Sequence, residues 1–355
     1  MFSRRHFLAS LTAFFGTAAT ALAHRDRRLI ISDIPPEKSS APGNILPPAL
    51  KKGDTVGIVA PASGVNQSDI KSNIDFLKSI GLNVETGSAI SKSQKYLAAP
   101  DNVRAAELME FIERPDINAI LCARGGYGVM RILPMLDFGA IRRNPKIIMG
   151  YSDITALLIA VEQISGVTTF HGPVASSQFD DFTTKCFLKT VFASGTEAVP
   201  KMSLSVSDDS LLTLCKGSAT GRLTGGNLSM VVSTLGTPYE IDTAGAILFL
   251  EEVSEEPYKI DRMLTQLWLA GKLHQCAGVA LGQFKNCEAT GKSDVELSFT
   301  LRQVLDQRIT SLGIPAAYGL PFGHVKSKMT LPLGARAELD AEKKTLTILD
   351  ASVRT

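Results

Sequence analysis

Three short, almost wholly apolar runs, Thr55–Ala60, Ile117–Ala123 and Lys146–Met149, limit what this chain can fold into more than any other feature. Each is too short for a buried helix and too apolar for a solvent-facing strand. Each therefore reads as a strand covered on both faces. Between them the hydrophobic period lengthens. Ile70, Ile74, Leu77 and the neighbouring Ile80 recur at helical spacing, and Gly81 stops that helix before a further strand candidate, Leu82–Glu85. Val103–Ile112 reads as a helix ending at Pro115-Asp116, and Ile154–Ile164 as another. Strands alternating with helices predict a mostly parallel sheet in an α/β domain.

The pattern changes past about residue 195. Short strand candidates follow: Leu211–Cys215, Ala219–Leu223, Ala246–Leu250, Ala277–Leu281, Ala337–Asp340 and Thr345–Leu349, with one clear helix around Ile260–Ala270. A length of 355 residues accommodates two domains. We expect an N-terminal α/β domain over 48–195 and a smaller β-rich α+β domain over 205–350. Residues 24–47, with Pro35-Pro36, Pro42-Gly43 and Pro47-Pro48, have the composition of an extended tether.

Residues 1–23 read as a targeting segment. Arg4-Arg5 precedes an uncharged stretch from Leu8, which ends in the small-x-small sequence Ala21-Leu22-Ala23. That layout is a secretory signal, and the paired arginines fit the twin-arginine type, which predicts a periplasmic protein. Cleavage after Ala23 removes two of 37 basic residues and no acid, leaving 35 of each sign. No other stretch reaches the ~18 apolar residues of a membrane span. Balanced charge and an aromatic content of 6% argue against nucleic-acid binding. There is no HExxH, no H-x-H and no cysteine–histidine cluster, so no metal is expected. Five cysteines, Cys122, Cys186, Cys215, Cys276 and Cys287, form no disulfide framework, although Cys276 and Cys287 are close enough in sequence to pair.

Chemistry-bearing residues fall at strand ends. In Gly150-Tyr151-Ser152-Asp153-Ile154 a buried strand runs through glycine into serine and then a helix. This is the layout of a nucleophile elbow, although Ile154 stands where a second glycine is usual. The alternative is that Ser152 caps the helix. Ala123-Arg124-Gly125-Gly126-Tyr127-Gly128 follows another strand, and its glycines suit an oxyanion hole, an anion nest or a plain turn. A serine nucleophile needs a base. Of five histidines, His6 lies in the leader and His24 in the tether, and His274 sits near a helix end. His324 and His171 both occupy glycine- and proline-marked segments that read as loops, so both are candidates. Glu251, abutting the strand Ile247–Leu250, is placed to orient an imidazole.

Taken together, these segments resemble the LD-carboxypeptidase family of serine peptidases. The matching pieces, in order, are Gly53–Ala62, Ala123–Gly128, Gly150–Thr155, Phe170–Pro173, Gly225–Leu228, Leu248–Glu252 with Pro257-Tyr258 and Asp261-Arg262, and Gly323-His324. The resemblance implies a flavodoxin-like N-terminal domain, a β-rich C-terminal domain and an active site between them. It implies Ser152 as nucleophile, His324 as general base and Glu251 as the orienting acid, with Glu252 the fallback. Backbone N–H groups of Asp153 and Gly126 would form the oxyanion hole. Arg124 could read a substrate carboxylate, a structural ion pair being its alternative. The implied substrate is a murein tetrapeptide losing its terminal D-Ala, with no cofactor, in a homodimer. Related possibilities are a hydrolase of peptide-nucleotide antibiotics, for which Trp268 is the single tryptophan available to stack a base, and a non-catalytic periplasmic peptide-binding protein.

Overall fold

The computed structural model describes residues 44–192, 211–289 and 297–355. The leader, most of the tether and the 195–205 boundary lie outside the described residues. Asn44–Pro47, assigned above to the tether, belong to the fold: the Ile45 N–H donates to the Gly166 carbonyl at 2.7 Å and its carbonyl accepts from Thr168 at 3.0 Å.

The strands are β1 (Thr55–Val59), β2 (Asn83–Thr86), β3 (Ala119–Cys122), β4 (Ile147–Gly150), β5 (Thr169–His171), β6 (Leu212–Cys215), β7 (Ser218–Asn227), β8 (Ala246–Val253), β9 (Gly278–Lys285), β10 (Ala316–Leu320), β11 (Leu331–Leu333), β12 (Arg336–Asp340) and β13 (Thr345–Ile348). They form two sheets. The first has the order β11-β5-β4-β3-β1-β2. Strands β1 to β5 are parallel in the flavodoxin-like order 2-1-3-4-5. Alternation along these buried strands feeds two cores. Ile120, Cys122 and Ile148 face helices Asp101–Glu113 and Thr155–Ala160, whereas Ala119, Leu121 and Met149 face Gln67–Ser79 and Asp181–Val191.

The second sheet has the order β13-β12-β7-β8-β9-β10-β6. Its centre, β7 to β10, is parallel, and antiparallel strands close both sides. The α/β domain followed by a β-rich domain is thus as expected. The single expected helix is joined by Leu228–Ser233 and by Leu301–Arg308, whose capping box pairs Thr300 with Gln303. Leu301–Arg308 is rich in Arg, Gln and Asp, and only Leu301, Val304 and Leu305 are buried, which weakens its helical signature in the sequence.

Two links tie the sheets together. Strand β11 returns from the C-terminal part of the chain to pair antiparallel with β5, Leu331 opposite His171. At the end of β7, Gly226 takes a φ of 144° against Thr155, and the Thr155 hydroxyl accepts from the Asn227 N–H at 3.0 Å. A side chain at Gly226 would collide with Thr155. In a parallel sheet, functional groups collect beyond the carboxyl ends of the strands. Ser152 follows β4, Arg124 follows β3, Glu251 ends the inner part of β8 and His324 follows β10.

Candidate active site

The elbow is real. Tyr151 continues the extended backbone of β4, and Ser152 then flips to φ 65°, the left-handed region that costs a non-glycine residue about 1–2 kcal/mol. A 3-10 turn, Ser152–Ile154, leads into the helix Thr155–Ala160. Ser152 makes no capping bond to that helix, so the capping alternative fails. Gly125 lies against it: a Cβ there would sit 2.9 Å from the Ser152 Oγ and 3.3 Å from the Asp153 nitrogen. The Gly125-Gly126 peptide therefore lies beside the serine. The Asp153 amide opens the helix, where the first N–H groups lack intrahelical acceptors.

The Asp153 side chain has a separate, structural use. It is buried, its Oδ2 accepts from the Val129 N–H at 2.9 Å, and burial pushes its pKa up to about 6. Two residues that sequence reasoning passed over hold this region. The Ser63 hydroxyl donates to the Tyr96 carbonyl at 2.6 Å and accepts from the Tyr127 N–H at 3.2 Å, clamping the glycine loop next to Gly126. Arg104, wholly buried, donates to the carbonyls of Pro61, Ala99 and Gly128 and pairs with Asp101. An arginine at a core-facing position of the Val103–Ile112 helix was the available signal for it.

The second sheet contributes the candidates Glu251 and His324. Glu251 is 0% exposed, and its Oε2 lies 2.7 Å from the His324 Nδ1. Gly323, at φ 96°, makes room: a Cβ there would lie 2.4 Å from that same oxygen, so only glycine fits between the two side chains. Neighbouring Glu252 points elsewhere. It accepts from Asn227, Ser229 and Val253, and burial raises its pKa. The geometry thus selects Glu251 over Glu252 as the partner of His324. The His324 ring meets the Tyr151 ring edge-on at 4.9 Å between centroids, which brings the imidazole to the residue before Ser152.

The remaining candidates divide. Arg124 is exposed, and among the described residues it has no ion pair. It acts electrostatically on Tyr151. His171 is no loop residue: it ends β5, is 1% exposed, and burial lowers its pKa to about 4. Trp268 packs on His274 at the C-terminal end of helix Pro257–Leu269, roughly 16 Å along the helix from the end nearer Glu251. None of the five cysteines forms a disulfide, so Cys276 and Cys287 are not joined to each other. Among the described residues no cluster of three His, Cys, Asp or Glu side chains could hold a metal, and no helix is long and apolar enough to cross a membrane.

This arrangement also has relatives. The sequence profile of the LD-carboxypeptidase N-terminal domain matches residues 56–172, and that of the C-terminal domain matches residues 220–339. A probable murein peptide carboxypeptidase of Bacillus subtilis is 44% identical over 309 residues, 86% of this chain and 94% of the relative. The solved muramoyltetrapeptide carboxypeptidase of Oxalobacter formigenes is 33% identical, with a TM-score of 0.74 over 85% of this chain and 100% of the other. The microcin immunity protein MccF, solved with glutamyl sulfamoyl guanosine, is 25% identical, with a TM-score of 0.78 over 87% and 99%.

Proposed function

Because the chain belongs to the LD-carboxypeptidase family, we propose that it is a serine-type LD-carboxypeptidase that removes terminal D-alanine from murein tetrapeptides through Ser152, His324 and Glu251. The observation that carries this reading is the bond between His324 and the buried Glu251, made by an imidazole that packs on Tyr151, the residue before a serine held in a strained elbow.

Its chemistry follows from which nitrogen is engaged. With Nδ1–H donated to the Glu251 carboxylate, the lone pair sits on Nε2, the nitrogen free to act as base. Ser152 Oγ attacks the scissile carbonyl carbon as Nε2 takes its proton. The oxyanion that forms is met by the N–H groups of Asp153 and Gly126. One such donor is worth about 3–4 kcal/mol in the transition state. Glu251 stabilises the imidazolium, which protonates the leaving amine of D-alanine. Water then gives a proton to Nε2 and attacks the acyl ester, releasing the shortened peptide and Ser152. Arg124 suits the terminal carboxylate, since a guanidinium forks onto two oxygens and this one has no competing acid.

The likeness to MccF supports a second reading, hydrolysis of a peptide-nucleotide. The position of Trp268 argues against it, because a base-stacking ring belongs in the crevice and this one packs on His274. A pure binding protein would gain nothing from a strained serine beside a wired imidazole. The residue 1–23 leader supports export to the periplasm by the twin-arginine route, and the family resemblance supports a homodimer; cell fractionation and light scattering test these. Purified Ser152→Ala, assayed by mass spectrometry on murein tetrapeptide, should release no D-alanine. Unchanged turnover would reject the nucleophile. Comparing isolated sacculi with soluble tetrapeptide tests where it works, and activity confined to the soluble peptide would count against wall remodelling.

A further inference from the structure

His171 takes no part in that scheme, yet its surroundings are not those of an inert core residue. Both ring nitrogens are buried without a hydrogen-bond partner, and so is the second carboxylate oxygen, Oε1, of Glu251. Leaving a buried polar group unpaired costs about 1–3 kcal/mol, which a phenylalanine of similar shape would avoid. The contacts of the ring are specific. It meets Tyr151 at 6.1 Å, Phe249 at 5.2 Å and Phe322 at 6.5 Å between centroids. Tyr151 immediately precedes Ser152, Phe249 stands two residues before Glu251, and Phe322 two before His324. One imidazole therefore packs against a ring that stands one or two residues before each member of the triad. Phe249 and Glu251, at i and i+2 on β8, share a sheet face, so the acid extends from the same side as the ring that His171 packs against.

We propose that His171 is a positioning residue: its neutral imidazole donates through one bridging water to Glu251 Oε1, while its ring wedges the segments carrying Ser152, Glu251 and His324. This rests on the triad assigned above. Two polar groups held beyond direct bonding distance in a buried site are suited to a single shared water. The charged and titratable groups facing the ring are Glu251, His324, Lys328 and Tyr151. Glu251 favours protonation of His171, Lys328 opposes it, and burial is the largest influence, keeping the ring neutral. A neutral N–H donor shares the negative charge of Glu251. Without it, that charge acts more fully on the imidazolium of His324, and the base keeps its proton to higher pH.

The test is a pair of substitutions. His171→Phe fills the same space without a donor. It should keep or raise Tm and lower kcat by about 10- to 100-fold, the usual effect of losing a supporting hydrogen bond. KM should change little, and the acid limb of kcat/KM should move to higher pH. His171→Gln, which keeps an N–H, should restore that limb toward wild type. A His171→Phe enzyme with wild-type kcat and pH profile would overturn the proposal and leave His171 as packing. If the wild-type protein trims no LD-peptide, the triad reading itself fails. A high-resolution crystal structure then still decides the local claim: a water bonded to both the ring and Glu251 Oε1 supports it, and a dry contact overturns it.

Discussion

Gly125→Ala is the cleanest probe of the elbow. Gly125 is not in the left-handed region, so alanine is allowed by its backbone, and the whole effect falls on what the new methyl meets. That methyl would lie 2.6 Å from Ser152 Cβ, 2.9 Å from Ser152 Oγ and 3.3 Å from the Asp153 nitrogen. Comfortable carbon contacts are ~3.5–4.0 Å, so something must give by about 1 Å. Overpacking of this kind costs about 1–3 kcal/mol of stability, lowering Tm by roughly 2–4 °C per kcal/mol in domains of this size. The catalytic loss should be larger. Displacing a nucleophile by ~1 Å costs about 100-fold, and disturbing one oxyanion donor about 100- to 1,000-fold. We expect kcat on murein tetrapeptide, followed by mass spectrometry of released D-alanine, to fall about 100- to 1,000-fold. KM should hold if, as proposed, Arg124 rather than Gly125 meets the terminal carboxylate. A folded Gly125→Ala enzyme within about tenfold of wild type, ~1.4 kcal/mol, would refute the placement of the reacting carbonyl between this loop and Ser152.

Other outcomes follow from the same geometry. Ser152→Gly should abolish activity while raising stability by about 1 kcal/mol, since glycine relieves the left-handed strain; a lower melting temperature would show that the elbow stores none. Glu251→Gln should cut kcat by about 1,000- to 10,000-fold through loss of imidazole orientation. Glu252→Gln should chiefly lower stability, because that carboxylate accepts from Asn227, Ser229 and Val253; the reverse pattern in steady-state kinetics would reassign the acid. His171, held down to about 4 by burial, binds fewer protons folded than unfolded up to its ordinary pKa of about 6.5. Its effect is therefore a gain in stability as pH rises through that window, at most roughly 3 kcal/mol. Asp153, raised to about 6, acts in the opposite direction over nearly the same range. Removing only the first, the stability advantage of His171→Phe over wild type in urea titrations should be greatest near pH 4 and shrink toward neutrality. A pH-independent difference would sink this linkage.

The sequence by itself determined the parallel sheet, since almost wholly apolar runs separated by helical periods have no other economical burial. It also set strand, glycine, serine and helix in the order of an elbow, but whether Ser152 turned sharply or merely capped the helix was decided by the folded backbone, where it takes φ 65° and makes no capping bond. It could not choose between Glu251 and Glu252. Successive strand residues point to opposite faces, so the choice waits on which face of β8 meets His324, set by a loop some 70 residues further on. Nor could it place His171. Phe170-His171-Gly172-Pro173 reads locally as a loop, and pairing on both sides, with Gly150 of β4 and Leu331 of β11 opposite His171, makes it a buried strand. Ser63 and Arg104 were hidden for the same reason: their hydrogen bonds reach Tyr127, Pro61 and Gly128, contacts that exist only after the loops are folded together. Local pattern records what one segment buries, and tertiary structure alone decides which segments bury it against one another.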